Sequence, residues 1–404
     1  LRRNKVLKYL EVVNFRDGMA HITVKQAEAS YRWDVADTDL LLTHDKQQGI
    51  NGEMTGLLKR RDDATSFLGT IEQPKDAPNL RLKARFGEIH SRLFSPLLPQ
   101  NLGDKINTFV ESLNVSARFD KTLSLNRASL DVRLEKTKIK NFNVYPDGIN
   151  LRSANLGFSY FPPKINTSEK PLPEGLKPHG HLQIDDFVVE DEQGLIVSGQ
   201  GEFRLPARND AIIAQLLFQS KSAQLHEAMT YLPPKHTSDL ITWLKKSTDY
   251  QKALLEDITL SLSGDVKKFS FNDSGDNLNT DLLEAHFNFK NLDLDLHPKL
   301  PRLKKTKGQA VLQGNKIRIS SPGGGLMKKQ NLSDIDVLIS NIFDKNGKAR
   351  IRGTGNVVGS AQGLLPMITQ LFDSKPLLDD IKGQQASSVD LVFPLGGEEE
   401  DLQF

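Results

Sequence analysis

The stretch Ala285-His-Phe-Asn-Phe-Lys-Asn-Leu-Asp-Leu-Asp-Leu296 decides the fold class of this chain. Apolar and polar residues alternate along it, which is the pattern of a β-strand with one apolar and one polar face. The apolar positions shift by one register step between Phe289 and Leu292, so we predict a bulge or bend near Asn291. Because the same alternation recurs at 258–263, 317–319 and 335–339, the sequence predicts a mainly β fold.

Few helices are predicted. One follows Pro234, with an N-cap oxygen from Thr237 or Ser238. Apolar residues spaced by three and four positions also predict short helices over 106–113 and 364–372.

The composition excludes several classes of chemistry. The chain has 404 residues, a net charge of +2 and no cysteine. Disulfides, thiolate catalysis and cysteine-ligated zinc are therefore excluded, and the near-neutral charge argues against a protein that binds nucleic acid by neutralising phosphates. No run of about eighteen apolar residues occurs, so no transmembrane helix is predicted. Because residue 1 is leucine, we expect a piece of a longer protein.

Two sets of residues have the side chains and the strand spacing of a metal site, but solvated polar strand faces explain both sets better. No metal or other cofactor is predicted. The two sets are His179, His181, Asp185 and Asp186, and Asp293, Asp295 and His297.

Catalytic motifs are weak. Gly323-Gly-Gly325 lacks the Lys-Ser/Thr and the helix of a phosphate-binding loop, so a flexible hairpin is predicted there. The adjacent pairs Asp185-Asp186 and Asp379-Asp380 would point to opposite faces of a strand. No Gly-x-Ser-x-Gly elbow occurs. The sequence therefore predicts no enzyme.

Several short motifs follow one another in an order that resembles the characteristic domain of the YhdP branch of the AsmA-like family. The resemblance extends upstream to Gly199 and covers roughly the last half of the chain. The motifs are Tyr231-Leu-Pro-Pro234, Trp243-Leu244, Gln313-Gly-Asn315, Ser374-Lys-Pro-Leu377 and Val392-Phe-Pro-Leu395.

The resemblance implies an elongated, curved antiparallel β-sheet with an apolar concave face. It divides the chain into a β-rich AsmA-like portion (1–165), a β-rich connecting segment after a proline-rich loop (166–230), and a helix with a strand ladder (231–404). It also implies a location in the bacterial periplasm, with an inner-membrane anchor outside this piece. The expected function is non-enzymatic transport of phospholipid between the two membranes, or outer-membrane lipid homeostasis, with acyl chains and envelope proteins as partners and no nucleic acid.

Alternation alone cannot separate a groove from a closed core, because both place apolar side chains on one face. A structural or assembly-assisting envelope protein with a closed core is therefore an alternative, and a polysaccharide-acting enzyme is a weaker one. The basic clusters Lys59-Arg60-Arg61, Lys304-Lys305-Lys307 and Lys328-Lys329 could touch anionic head groups, although solvated turns explain them better. The candidate groove residues are Ile258, Leu260, Leu262, Phe287, Phe289, Leu292, Leu294, Ile317, Ile319, Val337 and Ile339.

Overall fold

A computed structural model of the chain describes residues 11–26, 29–76, 79–94, 106–139, 148–163, 179–206, 211–232, 234–265, 283–295, 301–314, 316–328, 330–340, 342, 350–363, 369 and 382–394. The chain divides into two compact units. The first comprises Leu1–Phe142, Pro146–Gly194 and Ser198–Ala214, and the second Asn143–Tyr145, Leu195–Val197 and Gln215–Phe404.

Antiparallel strands build the first unit, joined by a 3-10 turn at Ser91–Leu93. The strands are β1 (Val12–Gln26), β2 (Ala29–Asp45), β3 (Gly49–Arg60), β4 (Asp63–Pro74), β5 (Leu80–Phe86), β6 (Ile89–His90), β7 (Ile106–Asn107), β8 (Phe109–Phe119), β9 (Leu125–Ile139), β10 (Ile149–Phe161) and β11 (His179–Asp191). Each strand from β1 to β4 pairs with the next, β5 pairs with β8, and each strand from β8 to β10 again pairs with the next. The short strands β6 and β7 pair with β8 and β9.

Strand β12 (Ile196–Pro206) lies mostly in the first unit, and β13 (Ile213–Gln224) lies mostly in the second. Two helices and eight further strands follow β13, and residues 361–363 are also helical. The elements are α1 (Leu225–Thr230), α2 (Pro234–Ser247), β14 (Leu254–Asp265), β15 (Leu283–Leu294), β16 (Leu303–Gln313), β17 (Lys316–Ser321), β18 (Gly325–Met327), β19 (Gln330–Ser340), β20 (Arg350–Ser360) and β21 (Gln384–Pro394). Strands β14, β15, β16, β17, β19, β20 and β21 pair in that order, all antiparallel.

The prediction of a mainly antiparallel β fold with few short helices is confirmed. So is the bulge near Asn291, because the β15–β16 register shifts between Phe289 and Leu292. Asn291 itself has φ of 55°, a conformation that Asn adopts more readily than most residues. The elongation, the curvature and the three-part division stay predictions.

The helix predicted over 106–113 is wrong, because this segment forms β7 and β8. A helix would place Phe109 and Leu113 on one face, but Phe109 is 63% exposed and Leu113 is buried. Thr108 instead anchors the segment to β9 through a 2.6 Å hydrogen bond between its hydroxyl and that of Thr137. Pairing with strands distant in sequence therefore overrides the local helical spacing.

The predicted N-cap at Thr237 or Ser238 is also wrong, because α2 begins at Pro234.

The hairpin predicted at Gly323-Gly-Gly325 is wrong as well. β17 and β18 both lie between β16 and β19 and pair with each of them. The chain therefore continues in the same direction across the glycines and does not reverse there. A Cβ on Gly324 would lie 1.6 Å from the carbonyl oxygen of Leu332, which explains why glycine is needed there. Apart from Thr369, the helix predicted over 364–372 lies outside the described residues.

Each unit has its own apolar core. In the first unit, one cluster includes Trp33, Ile89 and Leu93, and the indole N–H of Trp33 donates a 2.8 Å hydrogen bond to the carbonyl oxygen of Leu93. In the second unit, the cluster includes Leu303 and Ile339. Within the described part of the chain, no helix has the length and apolar character needed to cross a bilayer.

Candidate functional site

One face of the second unit's sheet is apolar across its strands. Side chains directly opposite one another in register share a face, so cross-strand pairs show which residues lie side by side. One such row runs from β14 to β20 and contains Leu260, Ala285, Leu312, Ile317, Ile339 and Ile351. The next row contains Phe287, Ala310, Ile319, Val337, Gly353 and Leu391.

The candidate groove residues divide into a buried and a half-buried group. The buried group belongs to the core cluster and consists of Phe289, Leu292, Leu294, Val337 and Ile339. The half-buried group consists of Ile258, Leu260, Leu262, Phe287, Ile317 and Ile319. Depth therefore varies along a continuous apolar surface, from Ile339 at 1% exposure to its half-buried register partner Ile317.

The two helices pack on the buried part of this face. Leu225 and Ala228 of α1, with Trp243 and Leu244 of α2, contact the core cluster that contains Phe289. The C-terminal end of α2 is attached to β15, because the N–H of Asp295 donates a 2.7 Å hydrogen bond to the carbonyl oxygen of Ser247. Leu260 and Leu262 do not belong to the cluster or to its contacts. Ile258, Phe287, Ile317 and Ile319 pack against the cluster but remain partly exposed. The half-buried part of the apolar face, defined here as the six half-buried residues above, is the candidate site.

The opposite face of the same sheet is charged. Arg318 and Asp336 form an ion pair of 2.6 Å across β17 and β19, and Arg352 and Asp390 form one of 2.7 Å across β20 and β21. The hydrogen bond from Arg352 lowers the pKa of Asp390 below its usual value. Both pairs are exposed, so each adds little to stability. They show that this side of the sheet faces water.

The first unit repeats this arrangement with residues that were not among the sequence candidates. One row across β4, β5, β8, β9, β10 and β11 contains Ile71, Leu82, Ala117, Ala128, Tyr160 and Leu182, all half-buried. A parallel row, nearer the core that contains Leu93, includes Phe67, Phe86, Leu113, Val132, Leu156 and Phe187. The alternation of Leu82 and Ala84 with Lys83 and Arg85 carried this signal in the sequence.

Four of the seven candidate metal-ligating residues make contacts with other groups. Within the described ranges, no group of three or more His, Cys, Asp or Glu side chains is placed to hold a metal ion. His181 contacts Glu202 at 2.9 Å, Asp185 accepts a hydrogen bond from Ser159, and Asp295 pairs with Arg302. Asp293 accepts a 2.8 Å hydrogen bond from the N–H of Lys305. His297 and the side chain of His179 lie outside the described residues.

The basic cluster at Lys59 and Arg60 is held by contacts within the first unit. Lys59 lies 3.7 Å from Asp37, and Arg60 donates a 2.9 Å hydrogen bond to the carbonyl oxygen of Arg92. The guanidinium of Arg60 also lies 5.8 Å from the centre of the Trp33 ring. These contacts favour a structural role for the cluster over a role in binding head groups.

Comparison with known families gives one match. A family model described as YhdP protein matches residues 176–403, which is more than half of the chain. The matched range contains the whole apolar face of the second unit. No curated protein and no solved structure shows significant similarity to the chain.

Proposed function

The chain belongs to the YhdP family of AsmA-like proteins, and from this premise we propose that it shields phospholipid acyl chains on the apolar sheet faces as lipids pass between the inner and outer membranes. The observation that carries the proposal is the half-buried apolar surface around Leu260, Phe287 and Ile317, beside which the same sheet has a fully buried core. A side chain whose only role is core packing would be covered, as Ile339 is.

The apolar character of the surface suits a ligand that moves along it. Each buried methylene contributes about 0.8 kcal/mol, so an acyl chain gains affinity from contact area alone. Neighbouring strands offer near-equivalent apolar positions, such as Leu312 and Ile317, so a chain can move from one to the next without breaking a specific bond. No covalent step is needed, and the proposed function is therefore non-enzymatic.

The proposed setting is the periplasm, with the full-length protein tethered to the inner membrane by a segment outside this piece. Phospholipid acyl chains are the proposed ligand, and other envelope proteins are proposed partners. Head groups would remain in water beside the half-buried residues, because a charged group loses far more hydration energy on burial than an acyl chain gains.

A second candidate function rests on the buried group. Phe289, Leu292, Leu294, Val337 and Ile339 are as well covered as an ordinary core, which is the arrangement expected of a structural or assembly-assisting envelope protein. For this second function, the half-buried residues must bind no lipid or other ligand in the cell.

Site-specific photocrosslinking in the bacterial envelope separates the two candidates. A photoreactive phenylalanine analogue at Leu260 is expected to capture phospholipid, which mass spectrometry of the crosslinked protein identifies. The same analogue at Ser261 is the matched control, because successive residues of a strand point to opposite faces. Lipid adducts at 260 and not at 261 support the acyl-chain proposal. Equal capture at both positions, or none at either, contradicts it and favours the structural candidate.

A further inference from the structure

Three arginines stand side by side on the polar face of the first unit's sheet. Arg81 of β5 is directly opposite Arg118 of β8, which is directly opposite Arg127 of β9. Like charges opposite one another across strands destabilise a sheet. The fold therefore retains a local electrostatic cost, and a bound anion would remove it.

Only one of the three arginines has an acidic partner among the residues that the structure describes. Arg127 lies 3.9 Å from Asp185 and donates a 2.7 Å hydrogen bond to the hydroxyl of Ser159. Arg81 and Arg118 have no carboxylate within ion-pair distance in the described part of the chain. Within the described residues, Arg81 and Arg118 are therefore not held in an ion pair.

The nearby carboxylates are used by other groups. Glu72 is opposite Arg81 in register, but its carboxylate lies 3.5 Å from the amino group of Lys83. Asp120, two residues after Arg118, accepts hydrogen bonds from Thr122 and Ser124 in the turn between β8 and β9. Hydrogen bonding from Thr122 is the main cause that lowers the pKa of Asp120.

A concavity of about 300 Å³ lies at the end of the arginine row that contains Arg118 and Arg127. Its polar lining can donate hydrogen bonds from guanidinium and amide groups, and its remaining wall is an aromatic ring beside a proline. The ring is also 5.2 Å from the guanidinium of Arg127, which holds that side chain against the wall. The lining residues are Asn79, Arg118, Asn126, Arg127, Phe161 and Pro162.

We propose that this concavity binds a phosphate group, with Arg118 and Arg127 as the charged ligands, Asn79 and Asn126 as amide donors, and Arg81 as the neighbouring cation that raises the local positive potential. Guanidinium groups match phosphate geometry because they donate two parallel hydrogen bonds. Phe161 and Pro162 offer a flat apolar wall to the carbon atoms esterified to the phosphate.

This site is separate from the proposed acyl-chain surface. Arg81, Arg118 and Arg127 alternate with Leu82, Ala117 and Ala128 along their strands, so they project from the opposite face. The phosphate could come from a soluble phosphate ester or from a phospholipid head group at a membrane surface. Either source supplies the same chemistry to the arginines.

Binding is tested in two arms with the full chain. Glycerol 3-phosphate is titrated by calorimetry, and vesicles of phosphatidylcholine with a minority of phosphatidylglycerol are tested by co-flotation. The variants are Arg118→Gln and Arg81→Gln. Arg85→Gln is the control, because Arg85 is exposed on the polar face of β5 and is opposite Asn114, outside the row. It makes the same change in net charge.

We expect wild-type binding in at least one arm, a loss of about tenfold or more for Arg118→Gln, a smaller loss for Arg81→Gln, and no change for Arg85→Gln. Binding of glycerol 3-phosphate identifies a soluble ester as sufficient, and binding of vesicles alone identifies a membrane head group. No wild-type binding in either arm, or equal losses for Arg118→Gln and Arg85→Gln, overturns the proposal. The unfolding temperature of Arg118→Gln should equal or exceed that of the wild type, since the substitution relieves repulsion, so a loss of binding would not reflect misfolding.

Discussion

Ile317 and Ile339 provide a matched pair for measuring how far the apolar face of the second unit is sealed. They are directly opposite one another on β17 and β19, and the same substitution to alanine removes the same atoms from both. Their environments differ, since Ile339 is 1% exposed and Ile317 is half-buried. The difference between the two variants therefore reports the difference in covering.

The expected losses follow from that difference. Ile339→Ala should lower the free energy of unfolding by about 2 to 5 kcal/mol, because it removes buried atoms and leaves a cavity. Ile317→Ala should lower it by about 1 to 2 kcal/mol, because part of the side chain already contacts water and less apolar surface is therefore lost. The loss at Ile339 should therefore exceed the loss at Ile317.

Urea denaturation followed by tryptophan fluorescence measures both losses. The chain has only two tryptophans, and Trp243 packs on the same core cluster as both isoleucines. Both variants are therefore compared in a Trp33→Phe background, in which the signal comes from the second unit alone. Equal losses at the two positions would refute the reasoning, because Ile317 would then be covered as fully as Ile339 and no open apolar surface would exist there.

Two further predictions concern the strands around this face. Asn291→Val should destabilise the protein by about 1 to 2 kcal/mol, because a β-branched residue fits poorly at φ of 55°, whereas Asn291→Gly should be tolerated. Thermal unfolding of the two variants checks this, and equal melting temperatures would contradict it. The pKa of Asp390 is lowered by its hydrogen bond with Arg352, so the stabilisation from this pair is present above the usual aspartate pKa of about 3.9 and is lost as the pH falls through the lower folded-state value. Asp390→Asn should therefore be less stable than the wild type at neutral pH and equally stable once the wild-type Asp390 carboxyl is protonated. Urea midpoints of both proteins, measured from neutral to acid pH, check this. A difference in midpoint that grows as the pH falls would contradict it.

The strands of the second unit could be predicted because the alternation of apolar and polar side chains is a pattern among neighbouring residues. The alternation in β15 shows which side chains share a face, and the one-step shift before Leu292 marks the bulge at Asn291 that restores the apolar positions to that face. The helix predicted over 106–113 shows the limit of this approach. Its apolar spacing fits a helix, but pairing of β8 with β5 and β9 supplies backbone hydrogen bonds that local spacing does not reveal.

The arginine row shows a second limit. Arg81, Arg118 and Arg127 are far apart in sequence and carry no motif, and they become neighbours only through the register of three strands. Their mutual repulsion, and the concavity beside them, are properties of that register.

The sequence by itself determined that the chain forms antiparallel strands with one apolar and one charged side, because successive side chains of a strand project in opposite directions whatever lies around them. Only the tertiary structure decided which part of the apolar side is covered. Residues of α1 and α2 pack against the cluster that contains Phe289, while Leu260 and Ile317 stay half-buried. The physical reason is that burial depends on which distant segments pack against a strand, and no local residue pattern encodes that packing.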